Sequence, residues 1–292
     1  MTIETTTFLD GLQFIESPRW HDGKLWFSDM GAGRVMNVDL EGNVEHVIDV
    51  LGYPSGLGWL PDGTLLIVSM DDRRLLRFDP RGLSEAADLS SIASYILNDM
   101  VVDRRGRAYI GNFGYDFSDP SATPEFAEIV MVTPEGDSKV VADEMAFPNG
   151  MIITPDGSTL IVAESLSARL TAFDIKPSGT LANRRIWAHF DDRGFESHDI
   201  NRNFPDGICL DAEGAIWVAL PWGQTEVLRV LEGGEVTHQV KVETQPFAAM
   251  LGGPDLQTLF VCTAILDDEF ESLPNRGCIE TVRVKVPGAD LT

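Results

Sequence analysis

The stretch that decides the fold is Phe204-Pro205-Asp206-Gly207-Ile208-Cys209-Leu210-Asp211-Ala212-Glu213-Gly214-Ala215-Ile216-Trp217-Val218-Ala219. It combines a turn that carries an acid, a short apolar run, an acidic turn with a glycine, and a second run rich in β-branched and aromatic residues. Short apolar runs separated by glycine turns are typical of paired β-strands. The stretch therefore predicts a β-hairpin, and the same pattern recurs along the chain.

Four copies of this pattern share one spacing, in which a small or polar residue precedes the turn glycine by eight positions. The pairs are Ser55 and Gly63, Asn98 and Gly106, Asn149 and Gly157, and Asp206 and Gly214. A first copy beginning at Glu16 is one residue shorter, and a degenerate last copy begins near Phe247. A third strand pattern, a glycine turn and usually a fourth apolar segment follow. We therefore predict an all-β, six-bladed β-propeller with four antiparallel strands per blade.

The organisation of the chain follows from the same repeat. A β-sandwich or two stacked β domains would give no reason for one strand-turn-strand pattern to recur at this spacing. No linker interrupts the copies, so residues 1–292 are predicted to form a single domain. An N-terminal strand within residues 7–14 is predicted to join the last blade and close the ring. Helical periodicity is nearly absent, and residues 83–93 are the one candidate for a short helical turn.

Composition limits the classes of partner. The formal charge of −24 and the pI near 4.4 disfavour nucleic acid or an anionic membrane, because the field would repel phosphates, and they favour cations. We find no secretory signal pattern and no apolar run of the roughly 20 residues that a membrane span requires. The three cysteines form no C-x-x-C pair, and Cys209 fits a buried strand position. A reducing cytoplasm is the predicted location, although a mature exported chain whose signal has been removed would show the same pattern.

The residues that begin the first strand of each copy are the candidates for chemistry, because these strands are innermost in a propeller and converge on one mouth of its channel. They are Glu16, Ser55, Asn98, Asn149, Asp206 and Phe247. Pro-Asn-Gly and Pro-Asp-Gly are ordinary turn sequences when each is taken alone. Together, however, two carboxylates and two carboxamides at one mouth are hard oxygen ligands, and paired carboxylates need a neutralising cation. We predict a site for one divalent cation, Ca²⁺ before Mg²⁺, Mn²⁺ or Zn²⁺.

The motifs that carry these residues resemble those of the gluconolactonase and senescence-marker-protein (regucalcin) family of six-bladed propellers. They are Glu16-Ser17-Pro18-Arg19-Trp20, Asn98-Asp99, Phe147-Pro148-Asn149-Gly150 and the opening stretch, in the family's order. The resemblance implies that Glu16, Asn149 and Asp206 bind the cation and that Asn98, with Asp99 beside it, lies on the substrate side. It also implies hydrolysis of a small-molecule lactone by a water that is either metal-bound or deprotonated by Asp206, the natural base.

One departure from the family concerns the substrate. Relatives that act on sugar lactones resemble one another in placing an arginine two residues before the Asn of Asn98-Asp99, where this chain has Ile96. The insertion at residues 112–127 is aromatic and includes Tyr115. Together with Phe147 and Trp222, it predicts a substrate less polar than a simple aldonolactone. Two alternatives remain: a non-catalytic calcium-binding or ligand-sensing propeller, and an organophosphate hydrolase that uses the same metal site.

Other polar clusters carry weaker signals. His198-Asp199 beside Glu196, and Asp267-Asp268-Glu269, are typical of solvated loops, although either is a candidate for a second metal site. Ser165-Leu166-Ser167 lacks the G-x-S-x-G pattern of a nucleophilic serine. Glu164 begins a loop near the predicted pocket, and the sequence assigns it no role.

Overall fold

A computed structural model of the protein describes residues 2–116, 119, 121–190, 203–222, 225–266 and 272–289. These residues form six β-sheets, five with four strands and one with five, together with two short 3-10 turns. The predicted all-β, six-bladed propeller is confirmed. No helix in these ranges is long and apolar enough to cross a membrane.

Each sheet is one blade, and within it the strands follow one another outwards in chain order, except that N-terminal strands form the outer edge of the fifth and sixth blades. The innermost strands are β3 Ile15–His21, β7 Pro54–Trp59, β11 Leu97–Val102, β15 Pro148–Ile153, β19 Ile208–Leu210 and β23 Gln245–Gly252. The second strands are β4 Lys24–Asp29, β8 Leu65–Ser69, β12 Ala108–Asn112, β16 Thr159–Glu164, β20 Ile216–Leu220 and β24 Thr258–Ala264. The third strands are β5 Arg34–Val38, β9 Arg74–Asp79, β13 Ala127–Val132, β17 Arg169–Ile175, β21 Glu226–Val230 and β25 Gly277–Arg283. The outermost strands are β6 Val44–Asp49, β10 Gly82–Asp88, β14 Ser138–Met145, β18 Leu181–His189, β22 Val236–Lys241 and, in the sixth blade, β2 Thr6–Leu12.

The N-terminus closes the ring as predicted. Strand β2 pairs antiparallel with β25, with Thr6 opposite Thr281 and Leu12 opposite Gly277. A shorter strand before it, β1 Thr2–Glu4, pairs parallel with β22 and adds a fifth strand to the fifth blade, which the sequence pattern did not predict. The N-terminal segment thus covers the outer edges of two adjacent blades, edges that would otherwise offer unpaired backbone groups.

The core lies between the blades. In the contact between the fourth and fifth blades, Ile152 and Ile161 pack with Ile208 and Val218, and all four side chains are buried. The outermost strands, such as β6, are largely exposed instead. Because each blade buries both faces of its inner strands against its neighbours, the ring holds the ends of the innermost strands on a rigid scaffold.

The first hairpin explains why the first copy is one residue shorter. Strands β3 and β4 are joined by only Asp22 and Gly23, whose φ angles are 49° and 76°. Positive φ at both central residues is the conformation of a two-residue type I′ turn, which matches the twist of the strands that it joins.

The helical turn suggested for residues 83–93 is wrong for the first half of that segment. Strand β10 continues to Asp88, because Leu83 pairs with Phe78 on β9 and the sheet takes up its backbone groups. Only one turn follows, in which the Ala93 N–H donates to the carbonyl of Leu89 at 2.9 Å. The buried position predicted for Cys209 is confirmed, and burial raises the pKa of its thiol to about 12.

Candidate metal and substrate site

The innermost strands of adjacent blades contact one another around the ring, from β3 through β7, β11, β15 and β19 to β23. Glu16, Ser55, Asn98 and Asn149 are each the second residue of their strand, and Asp206 lies two residues before β19. In each of the first four blades, the pairing between the innermost and the second strand shifts by one residue near the start of the innermost strand. In the first blade, for example, the shift lies between Glu16 and Arg19. A bulge of this kind re-aims a side chain, and its repetition gives these residues equivalent positions at one end of the channel.

Two glycines beside the predicted ligands allow the innermost strands to approach closely. A Cβ atom on Gly150 would lie 2.6 Å from the carbonyl oxygen of Asp206, and one on Gly207 would lie 2.4 Å from the Cβ of Ala248. Neither approach leaves room for a side chain. The glycine after Asn149 therefore brings the fourth blade against the backbone that carries Asp206.

Three acids meet at this end of the channel, and their charges interact. Burial, followed by the Asp206 and Asp99 carboxylates, raises the pKa of Glu16 well above its ordinary value, against the lowering effect of the Ser17 N–H and Arg19. Burial and then Asp99 raise the pKa of Asp206 in the same way, although the Asn149 side chain opposes this. In the absence of a cation, the cluster is therefore a poor environment for two ionised carboxylates.

The donor set fits a hard divalent cation. Asp206 is only 5% exposed, and its Oδ1 atom is buried without a hydrogen-bond partner among the described residues. A buried carboxylate oxygen without a donor is costly, and a cation would satisfy it. In the described ranges no three His, Cys, Asp or Glu side chains form a metal-binding group. The predicted set has only two carboxylates, Glu16 and Asp206, because its third donor is the amide of Asn149.

The two asparagines are buried and their amide nitrogens are engaged. Asn98 donates from Nδ2 to the carbonyl oxygen of Pro148 at 3.2 Å. Asn149 donates from Nδ2 to Ser165 Oγ at 3.3 Å, and Ser165 in turn donates to the carbonyl of Pro205 at 2.8 Å. The contact with Ser165 was missed in the sequence, because no spacing rule links a residue to a partner 16 positions away in another strand connection.

Asp99 is held beneath the mouth by three donors. Its Oδ1 atom accepts hydrogen bonds from Ser17 Oγ, Arg19 Nη2 and the Met100 N–H, each at 2.8 Å. Arg19 also donates from Nε to the carbonyl of Leu57 at 3.1 Å. One oxygen of Asp99 thus joins the third blade to the first, and Arg19 extends this link to the second. Contact between Asp99 and a substrate stays a prediction.

The aromatic residues predicted to line the pocket come together in one cluster beside the mouth. Tyr115, Phe147 and Phe204 are buried in it, with Phe113 and Trp222 packed against them. The Phe113 and Phe147 ring centroids are 4.3 Å apart, and those of Phe204 and Trp222 are 5.4 Å apart. The cluster provides an apolar wall close to Asn149 and Asp206.

Glu164 has a structural role rather than a place in the pocket. Its side chain is fully buried and accepts hydrogen bonds from Arg169 Nε at 2.9 Å, Arg184 Nη2 at 3.2 Å and the Ala146 N–H at 2.8 Å, and a further one from Thr171. Burial alone would raise the pKa of Glu164, but the hydrogen bonds and charge of Arg169 lower it overall. The network fixes the connection between β16 and β17.

Two clusters considered in the sequence lie outside the described residues. They are His198-Asp199 with Glu196, and Asp267-Asp268-Glu269.

The sequence of this chain is similar to a known protein family and to several characterised proteins. The family described as SMP-30/Gluconolactonase/LRE-like region matches residues 14–265. The chain is 27% identical to the regucalcin of Danio rerio over 207 residues, which cover 68% of this chain and 65% of that protein. It is 25% identical to the 6-deoxy-6-sulfogluconolactonase of Pseudomonas putida over 283 residues, or 94% of this chain and 92% of the relative.

A solved structure of a calcium-binding protein, regucalcin, from Agrobacterium tumefaciens superposes with a TM-score of 0.78 at 22% identity, covering 99% of this chain and 97% of the other. At that identity the superposition supports the fold. The family match over most of the chain, together with the six-bladed ring, establishes that the protein belongs to the SMP-30/gluconolactonase/LRE-like family.

Proposed function

We propose that the protein is a divalent-metal-dependent lactonase, which hydrolyses a cyclic ester to the open hydroxy acid. The observation that carries the proposal is the buried Oδ1 of Asp206, which has no hydrogen-bond partner in the described part of the chain and lies among acids whose pKa values are raised. Relatives named as lactonases, among them a pentonolactonase of Haloferax volcanii that is 26% identical over 254 residues, support the same activity.

Glu16, Asn149 and Asp206 are the proposed ligands of one cation. Two carboxylates balance its charge, and the amide oxygen adds a neutral hard donor, a combination that suits Ca²⁺ better than Zn²⁺. A bound cation supplies a Lewis acid that polarises the lactone carbonyl. The side chains then have to position the substrate and move one proton.

Asp206 is the proposed base. It takes a proton from the water whose oxygen attacks the carbonyl carbon, and the ring C–O bond breaks as the carbonyl re-forms. The proton passes to the leaving ring oxygen, so that lactone and water give the hydroxy acid without another reactant. Asn98 is proposed to position the substrate, because its Nδ2 is engaged with Pro148 and its Oδ1 can accept a hydrogen bond from a hydroxyl.

The proposed substrate is a lactone less polar than a simple aldonolactone. Tyr115, Phe147 and Trp222 belong to the apolar cluster beside the mouth. Ile96, which replaces the arginine of sugar-lactone relatives, packs with the core between the second and third blades and offers no hydrogen bond from its side chain. Trp222→Ala should therefore reduce kcat/KM for an alkyl-substituted lactone more than for a hydroxylated one.

The test is hydrolysis of a panel of aldonolactones and alkyl-substituted lactones by the protein as purified, after removal of metal with a chelator, and after return of Ca²⁺, Mg²⁺, Mn²⁺ or Zn²⁺. We expect loss of activity on chelation and recovery with one of these ions. Asp206→Ala should lower kcat/KM by about a hundredfold or more. Asp62→Ala, which removes an exposed turn acid, is the matched control and should leave kcat/KM unchanged.

The outcome distinguishes a lactonase from a calcium- or ligand-binding protein and from an organophosphate hydrolase. Hydrolysis that is unchanged after complete chelation would contradict the proposed mechanism. Calcium binding that Asp206→Ala abolishes, without turnover of any lactone, ester or phosphotriester, would favour a binding protein. Turnover of the phosphotriester in preference to every lactone would favour an organophosphate hydrolase.

A further inference from the structure

Ser165 contacts one proposed metal ligand, Asn149, and the residue that precedes another, Pro205, and no role follows for it from the reaction proposed above. It is the first residue after β16 and is 5% exposed. Its hydroxyl accepts a hydrogen bond from Asn149 Nδ2 and donates one to the carbonyl of Pro205, the residue before Asp206. One hydroxyl therefore connects Asn149 in the fourth blade with the chain that carries Asp206 into the fifth.

The direction of these hydrogen bonds fixes the orientation of the Asn149 amide. A carbonyl oxygen such as that of Pro205 can only accept, so the single hydroxyl hydrogen of Ser165 is committed to it. Ser165 Oγ can then only accept from Asn149, which requires the amide nitrogen to face Ser165. The amide oxygen, the only atom of that group able to bind a cation, must face away from Ser165.

Backbone hydrogen bonds hold the turn that carries Ser165. Its N–H donates to the carbonyl of Phe147 at 3.1 Å, and the next residue, Leu166, donates to the carbonyl of Ala146 at 3.2 Å. The buried carboxylate of the adjacent Glu164 is held by ion pairs with Arg169 and Arg184. The serine hydroxyl is thus presented from a turn with little freedom to move.

The same backbone position in three other blades carries an apolar side chain. The Ser165 N–H donates to the carbonyl of Phe147, and an equivalent backbone hydrogen bond occurs in each of the first three blades. These bonds run from Met30 to Phe14, from Met70 to Tyr53 and from Phe113 to Ile96. The acceptor in each case lies two residues before the predicted site residue of its blade. The scaffold therefore does not require a hydroxyl here, and of these four blades only the fourth has one.

We propose that Ser165 is a positioning residue of the metal site, which sets the Asn149 amide for ligation and fixes the chain entering Asp206. The inference rests on the proposed function, because it assumes a cation held by Asn149 and Asp206. Partners that orient metal ligands in this way typically contribute about 10- to 100-fold to metal affinity.

The test is isothermal titration of Ca²⁺ into the chelator-treated full-length protein, its Ser165→Ala variant and the control Ser167→Ala, which alters the same turn at a less buried serine. We expect Ser165→Ala to weaken the Kd for Ca²⁺ by about tenfold or more and Ser167→Ala to change it by less than about twofold. The melting temperatures of the metal-free variants are measured alongside, because a merely structural role would lower the melting temperature of Ser165→Ala without weakening its Kd for Ca²⁺.

A second pair of variants tests the role of the hydroxyl if Ser165→Ala does not fold. Thr and Val at this position have the same shape and differ only in the hydroxyl, so Ser165→Thr should bind Ca²⁺ more tightly than Ser165→Val by about tenfold. Equal affinities within this pair, or a Ser165→Ala variant with the parent's Kd, would overturn the inference while leaving the metal site in place. A parent protein that binds no Ca²⁺, Mg²⁺, Mn²⁺ or Zn²⁺ would overturn the proposed function as well.

Discussion

Blades 1 and 4 are built on the same internal scaffold. In blade 1 the second strand ends at Asp29, whose carboxylate accepts hydrogen bonds from two backbone N–H groups and from Arg34, five residues later. In blade 4 it ends at Glu164, whose carboxylate accepts from a backbone N–H and from Arg169, also five residues later. A short 3-10 turn and a residue with positive φ separate the acid from the arginine in both blades.

The two blades differ at the residue that follows the acid. Blade 1 has Met30, which packs against the apolar core shared by the second and third blades. Blade 4 has Ser165, which binds the amide of Asn149. In both blades the acid and the arginine stabilise the connection between the second and third strands. The residue after the acid packs against the core in blade 1 and contacts the proposed metal site in blade 4.

The largest effect is expected from removal of the two acids. Glu164→Ala and Asp29→Ala each leave a partly exposed arginine and backbone N–H groups without their acceptor, and each should lower the free energy of unfolding by about 2 kcal/mol or more. Urea unfolding of the metal-free proteins measures this, with Asp62→Ala as the exposed control. If the two variants lose free energy of unfolding by amounts that differ by more than about 2 kcal/mol, the two connections are not equivalent.

A second difference lies in the ligands that the two blades carry, because Glu16 of blade 1 titrates and Asn149 of blade 4 does not. Since the pKa of Glu16 is raised in the folded protein, the folded form keeps a proton that the unfolded chain has released above its ordinary pKa. The free energy of unfolding of the metal-free protein should therefore fall as pH rises, by up to about 1.4 kcal/mol per pH unit for each such proton.

Urea unfolding in chelator between about pH 5 and about pH 8 checks this, with Glu16→Gln as the variant in which the fall should be smaller. Asp206 also has a raised pKa, so part of the fall should remain in that variant. A Glu16→Gln protein with the same pH dependence as the parent would show that Glu16 is not proton-linked to folding.

The smallest effect is expected at Met30. Met30→Ala removes a half-buried side chain from the core and should lower the free energy of unfolding by about 1 kcal/mol, while the Kd for Ca²⁺ stays within about twofold of the parent. Ser165→Ala should instead weaken the Kd for Ca²⁺ by about tenfold or more. Urea unfolding and calorimetric titration of both variants measure the two effects. A loss of Ca²⁺ affinity in Met30→Ala would remove the distinction between the two positions.

The sequence was sufficient for the fold because the determinants of a propeller are local and repeated. Each hairpin is specified within about a dozen residues by alternating apolar runs and a glycine turn, and six copies with one site position define a ring. The shortening of the first copy was visible in the sequence too, and its cause is the two-residue turn at Asp22-Gly23. The N-terminal strand β1 was not predicted, because a strand of three residues is too short to carry a pattern.

The sequence by itself determined which residues share an equivalent repeat position, and from this it predicts which of them meet at the mouth of the channel, since a common position in a repeat becomes a common position around a ring. Only the tertiary structure decided what each of them contacts. Asp99 and Ser17 are 82 residues apart in the chain, and Ser165 and Pro205 are 40 apart. Hydrogen bonds between blades depend on how neighbouring strands approach and on which way each side chain points, and neither is encoded in the spacing of residues along the chain.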